Sequence, residues 1–349
     1  MPLWKNVNPY SAENKHTRKS KMKSYWMQSD GVNADIDLRD VDIPSPGPGQ
    51  LLVRVRAAGL NRGEFILSHG LHKAGTAKQI GMEAAGEVVS CGAGVAGFKP
   101  GDRVMGRCPG AFAEYALMSE PETMKMPASL DWNQAAALPL TSLVVFDMLV
   151  VQGNLKPGEW VFVTGVTSGV GVSALTMAKA LGAKVIGTSG SQEKLDQLKV
   201  LGLDIGICTR EPNFYDALMK ATDGKGVDLV VNTVGGSVFA ECIRAMAFQA
   251  RLATVGYVDG VLKAEMDIEA LHAKRLKLFG VSNKLRTAEQ RAAAMPDFKK
   301  LILPLVDSGK IVPMIYKTLP FEQLLDAKAI MDSNQHLGKI ILAGTQEKT

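Results

Sequence analysis

The segment VFVTGVTSGVG, Val161–Gly171, sets Gly165, Gly169 and Gly171 between an apolar, strand-like run and a helix-like run. Glycines so placed let the backbone turn sharply and approach a pyrophosphate. Free N–H groups at the helix N-terminus then meet the negative charge. Thr167 and Ser168 add hydroxyls. The strand before and the helix after separate a dinucleotide loop from a merely glycine-rich turn. An acid at the end of the next strand would hold the ribose 2′-OH of NAD. Here KVIGTSGSQEK offers Ser189, Ser191 and Lys194 and no early carboxylate. Small hydroxyls and a cation suit a 2′-phosphate, so the reading favours NADPH. Lys194 is equally readable as a solvated helix residue.

Groups able to move a proton are few. His72, with His69 close by, is a candidate donor, because imidazole titrates near neutral pH. It is equally readable as a loop histidine at the rim of a cleft. Glu64 and Glu83 are acids near it in sequence, but the glutamate of GMEAAG reads better as a structural hydrogen-bond acceptor. Cys91, Cys108, Cys208 and Cys242 are scattered, without a CxxC pair, and read as reduced thiols.

The elements that must position these residues follow from the pattern. With 349 residues, 46% of them hydrophobic, the chain has material for two packed cores. No apolar run approaches the roughly 20 residues that span a bilayer, and no signal-peptide pattern opens the chain, so a cytoplasmic protein is expected. Residues 1–21 carry Lys5, Lys15, Arg18, Lys19 and Lys21 against Glu13 and read as a disordered basic extension. Nucleic acid is a disfavoured partner for it. Residues 22–142 are expected to be β-rich, with Gly and Pro between short Val-rich strands. Residues 143–286 alternate apolar strands with helices, which implies a doubly wound parallel sheet. Residues 287–349 are expected to return to the first domain through the strand GKIILAG.

AAGLNRGEF, GMEAAGEVV, FKPGDRV, GAFAEYALM, AAALPLTSL, LKPGEWVFVTG and HLGKIIL occur in that order. In this the chain resembles the medium-chain dehydrogenase/reductase superfamily from about Met22 to Leu342. The resemblance implies an α/β architecture: a GroES-like catalytic domain and a Rossmann domain. LNRGEFILSHG and GVTSGVG look most like the zinc-free quinone oxidoreductase branch, and within it the p53-inducible quinone oxidoreductase-like proteins. Zinc relatives need a Cys where this chain has Leu60 or Asn61, and a His where it has Met82; a thioether without thiolates cannot build the usual tetrahedral site. Short-chain dehydrogenases share a TGVTSGVG-like loop. They place it near the N-terminus, however, and use a Tyr-x-x-x-Lys pair that this chain lacks.

The likeness implies Asn61 beside the nicotinamide, Ser168, Gly169, Val170 and Gly171 at the pyrophosphate, and Gly190 and Lys194 at the 2′-phosphate. It also implies Val234, Gly256 and Tyr257 along the cleft, with Asn334 and Lys339 closing over it. Lys339 is also readable as a solvated charge. Three positions depart from the branch. Val144 replaces a cofactor-contacting Thr, with Thr141 one helical turn earlier as its possible substitute. Cys208-Thr209 replaces an Asn-Tyr pair, with Arg210 adjacent to supply charge. His72 stands where the branch has a Tyr.

The expected activity is hydride transfer from NADPH to a quinone or a related conjugated carbonyl compound. An enone or enoyl double-bond reductase, and an NADPH-sensing or nucleic-acid-binding protein with little turnover, are the alternatives. The strand-like RLKLFGVSN, Arg275–Asn283, has no later strand to cover it, so a homodimer joined through this sheet edge is expected.

Overall fold

The computed structural model describes residues 20–30, 33–66 and 75–344. Most of the basic arm, and both His69 and His72, lie outside them.

Two sheets make up the β-rich part. β1 (Lys21–Ser29) lies between β2 (Ala34–Asp42) and β4 (Thr76–Gln79), antiparallel to both. The larger sheet is built around β3 (Gln50–Gly59), which pairs with β5 (Glu83–Cys91) and with β7 (Tyr115–Ser119). β6 (Arg103–Arg107) and β8 (Thr123–Lys125) extend it on the β5 side. On the other side β16 (Lys339–Ala343) runs antiparallel to β3 and carries β15 (Ile315–Leu319). The last strand thus returns to the first domain's sheet. It brings Lys339 to the end of β3, where Asn61 follows.

The second part is a six-stranded parallel sheet. Its strands are β9 (Trp160–Thr164), β10 (Lys184–Ser189), β11 (Ile205–Cys208), β12 (Val227–Asn232), β13 (Met246–Thr254) and β14 (Lys277–Gly280). They lie in the order β11-β10-β9-β12-β13-β14. Val161, Phe162 and Val163 of β9 are all fully buried, as helices on both faces of a parallel sheet require. The order reverses between β9 and β12, and there the strand ends open a crevice.

Two helices link the parts. α1 (Trp132–Ala136) is closed by a capping box on Asp131, and α2 (Pro139–Phe146) starts on a proline, whose fixed φ suits a first helical position. The change in sequence character near Leu143 falls inside α2, which continues into a π-type turn, Asp147–Val151. α3 (Gly169–Ala180) follows β9, and α4 (Gln192–Leu198) follows β10. Among the described residues no helix is long and apolar enough to cross a membrane.

Candidate cofactor cleft

Gly165 has φ of 63°, the left-handed region that glycine tolerates, and turns the chain out of β9. Ser168 caps α3: its Oγ accepts from the Gly171 N–H at 3.1 Å and donates to the Gly165 carbonyl at 2.9 Å. The first-turn N–H groups of Gly169 and Val170 have no carbonyl within the helix to receive them. A Cβ at Gly171 would stand 2.6 Å from the Gly165 carbonyl oxygen, and one at Gly169 would stand 3.1 Å from Lys339 Cδ. Both glycines are therefore set by close approach. Thr167 Oγ1 lies 3.4 Å from Ser189 Oγ, and the Gly338 N–H donates to the Thr167 carbonyl, which ties the tail to this loop.

At the end of β10 a Cβ on Gly190 would come within 2.2 Å of Arg210 Nε. The guanidinium lies directly over the glycine. Thr209 accepts from the Glu211 N–H and donates to Asn213 Oδ1 at 2.7 Å, so its hydroxyl closes a local turn and Arg210 is left as the charge there. Ser191 caps α4. Lys194 Nζ crosses to the tail and donates to the carbonyls of Asn334 at 2.9 Å and His336 at 3.1 Å. Burial first, then Arg210, pushes the Lys194 ammonium below its ordinary pKa. An anion at this spot would relieve both.

The third group lies on the β-rich side. Lys339 is buried, which excludes its reading as a solvated charge. Its Nζ donates to Glu83 Oε1 at 2.6 Å, Asn61 Oδ1 at 2.8 Å and the Leu60 carbonyl at 2.9 Å, with Thr141 Oγ1 at 3.4 Å. Glu83 is fully buried and its second oxygen accepts from the Leu140 N–H at 2.8 Å, at the N-terminus of α2. Asn61 Nδ2 donates to Glu83 Oε1 at 2.9 Å and to Glu64 Oε1 at 2.8 Å. Both ends of the Asn61 amide are thus engaged and its plane is locked. Glu64, also buried, has its carboxyl pushed up to about 8, chiefly by burial, with the Glu83 charge adding to it.

Between the ends of β9 and β12 lies a buried amide. Asn232, at the end of β12, accepts from Thr164 and from the N–H groups of Val234 and Gly235, and donates to the Gly235 carbonyl. Thr233 bonds back to Thr164 on β9. This clamp presents half-buried Val234 beside the Gly165 turn; Gly256 and the exposed Tyr257 follow β13 on the same edge of the sheet.

The structure thus brings Asn61, Thr141 and Lys339 into one bonded cluster, and Thr167, Ser168, Gly169, Val170 and Gly171 into one loop. Ser189, Gly190, Ser191, Lys194, Arg210 and Asn334 are brought together around the end of β10 and the start of α4. Arg62, Asn232 and His336 were not singled out in the sequence. A lone Asn closing an apolar strand was the available signal for Asn232, and the HLGK tail for His336. Among the described residues no cluster of His, Cys, Asp and Glu has the form of a metal site.

A GroES-like β domain joined to a parallel dinucleotide-binding sheet, with the sheet's phosphate loop facing the first domain's Asn–Glu–Lys cluster, defines a nicotinamide-dependent oxidoreductase. The chain belongs to the medium-chain dehydrogenase/reductase superfamily and is a quinone oxidoreductase-like, NAD(P)H-binding member of it. Residues 47–128 match the alcohol dehydrogenase GroES-like domain, and residues 169–298 match the zinc-binding dehydrogenase family. The synaptic vesicle membrane protein VAT-1 homolog of Rattus norvegicus is 30% identical, over 87% of this chain and 79% of its own length. The quinone oxidoreductase of the same organism is 29% identical, over 87% and 92%. A mycobacterial protein solved in complex with NADPH superposes with a TM-score of 0.80, at 25% identity, covering 92% of this chain and 99% of the other. A phenolphthiocerol/phthiocerol polyketide synthase polypeptide of Mycobacterium tuberculosis is 30% identical over 88% of the chain, which spans only 14% of that polypeptide's length.

Proposed function

We propose that the protein transfers hydride from NADPH to a quinone or another conjugated carbonyl compound, without a metal ion. The observation that carries the cofactor preference is Arg210 over Gly190, with Lys194 close enough to feel its charge, at a strand end with no carboxylate to receive a ribose 2′-OH. The glycine-lined loop fits a pyrophosphate, because the close approaches at Gly169 and Gly171 leave bare backbone where a Cβ would stand. When bound, the dihydronicotinamide supplies the hydride. The protein's part is to orient, exclude water and manage charge. Asn61, held rigid by Glu64, Glu83 and Lys339, is the residue we place against the reactive ring. A quinone accepts hydride readily and its oxyanion can draw a proton from solvent. An enone also needs polarisation, and for that His72 remains our candidate donor.

The donor set does not suit zinc. Leu60 has no ligating atom, the Asn61 amide is engaged at both ends, and Glu83 is paired with the Lys339 ammonium. NADPH oxidation against a panel of quinones and enones tests the proposal, with metal analysis of the dialysed protein alongside. Turnover of quinones and no stoichiometric zinc are expected. NADPH binding without turnover of any acceptor would instead make the protein a cofactor sensor, and one zinc per chain would overturn the metal-free chemistry.

A further inference from the structure

The loop between the helix Leu324–Asp332 and β16 is held from both domains. Arg62, in the 3-10 turn after β3, donates to Asn334 Oδ1 at 2.7 Å and to the Met331 carbonyl. Lys194, on α4, donates to the carbonyls of Asn334 and His336. Asn334 itself takes a left-handed φ of 58°, a conformation asparagine tolerates better than most residues. Within the loop the His336 ring packs edge-on to Tyr316 at 6.5 Å between ring centres, and its Nδ1 is buried without a hydrogen-bond partner. Buried polar atoms are seldom left unpaired, and one left so at a binding site marks a place for a ligand atom.

The groups facing that imidazole have one sign. Burial opposes its protonation most, and Arg62 from the 3-10 turn, Lys194 from α4 and Lys339 from β16 add to it; a bond to the Ile330 backbone favours it. Arg210 adds charge beside Lys194. Lys339 has Glu83 as its counter-ion, whereas among the described residues Arg62, Lys194 and Arg210 have no carboxylate within ion-pair distance. The imidazole is in consequence neutral, pushed down to about 4. Lys194 spends two of its three N–H donors on the loop and keeps one. Glu193 offsets Lys194 only in part, by its charge and without an ion pair; three cations without an ion-pair partner, one free ammonium donor and an orphaned imidazole nitrogen are what a phosphate dianion would satisfy.

We propose that His336 belongs to the cofactor's adenosine-phosphate site and bonds that phosphate as an imidazolium, taking its proton from solvent as NADPH binds. This rests on the NADPH preference argued above. The phosphate offsets the cations that, with burial, keep the ring neutral, so the ring gains a proton. A phosphate monoester with its second pKa near 6 tends to lose a proton on meeting Lys194 and Arg210. The two linkages have opposite sign, and replacing His336 removes only the first.

The test is calorimetric titration of the full-length protein with NADPH at pH 6, in two buffers of different ionisation enthalpy, for the wild type and His336→Gln. Proton release is expected for the variant. The wild type is expected to shift toward uptake by up to about one proton per NADPH. With NADH, which lacks the phosphate, the two proteins should show the same proton balance. Identical balances with NADPH would overturn the proposal while leaving NADPH binding intact, whereas no binding heat with NADPH would overturn the cofactor reading beneath it. Should the variant not fold, histidine NMR of the wild type decides. One imidazole that stays neutral at pH 5.5 alone and is charged at that pH with NADPH supports the proposal. No histidine altered by NADPH rejects it.

Discussion

Two charged residues carry most of what is specific to this cleft. Lys194 is the ammonium we propose to meet the 2′-phosphate, and its two bonds to the tail loop are made to carbonyls, which an incoming anion need not break. Lys194→Ala is expected to cost about 1 to 3 kcal/mol of NADPH affinity and leave NADH nearly unchanged. Fluorescence titration with both cofactors measures this; equal losses would mean that the lysine serves only to hold the tail. Glu64 offers a test in the absence of cofactor. Its carboxyl titrates near 8 in the folded protein and near 4.3 in an unfolded chain. Between these values the folded state binds the extra proton, so this contribution to stability is whole below the lower value and is lost as pH rises toward the upper one. Glu64→Gln is therefore expected to gain on the wild type by about 1 to 3 kcal/mol as pH rises from 6 to 9. Thermal melts across that range check it; parallel pH profiles would show that Glu64 is already ionised at pH 6.

At the scale of elements, the β9–α3 turn serves as a template whose shape is set by backbone packing. A side chain on Gly171 would meet the Gly165 carbonyl oxygen and Val166 main-chain atoms at 2.6 to 2.7 Å, and neither can swing aside as a flexible side chain would. Gly171→Ala is expected to destabilise the fold by about 1 to 3 kcal/mol and to weaken NADPH and NADH binding equally. That equal loss, measured by titration, separates a pyrophosphate-loop defect from the selective loss expected at Lys194. The same turn was legible in the sequence because its glycines recur at spacings that only a strand-to-helix junction uses. The Lys339–Glu83–Asn61 cluster was not legible as a cluster. Its members are 256 and 278 residues apart from Lys339 along the chain, and no local pattern records that β16 lies against β3.

For the whole molecule, β14 is the last strand of the parallel sheet and forms one of its edges. Lys274, just before this edge, folds back and donates to the carbonyls of Arg244 and Met246. Val258, Leu262 and Ile268, in the segment between β13 and β14, are exposed. We expect two copies to pair β14 antiparallel across a two-fold axis. Light scattering at micromolar concentration should give twice the 37.4 kDa chain mass, and a monomer mass would reject the pairing.

The sequence by itself determined the order of the two architectures, the phosphate loop and the absence of a zinc-ligand pattern at Leu60, Asn61 and Met82. Each of these is written in neighbouring residues: strand and helix periods, glycine spacing, side-chain donor chemistry. Tertiary structure alone decided that Lys339 is a buried counter-ion, that Asn232 clamps β12 to β9, and that Arg62, Lys194 and His336 meet on one loop. Those facts depend on burial and on partners far away in the chain. Burial and distant partners decide whether a lysine is a solvated charge or half of an ion pair, and whether a histidine in the tail carries a proton.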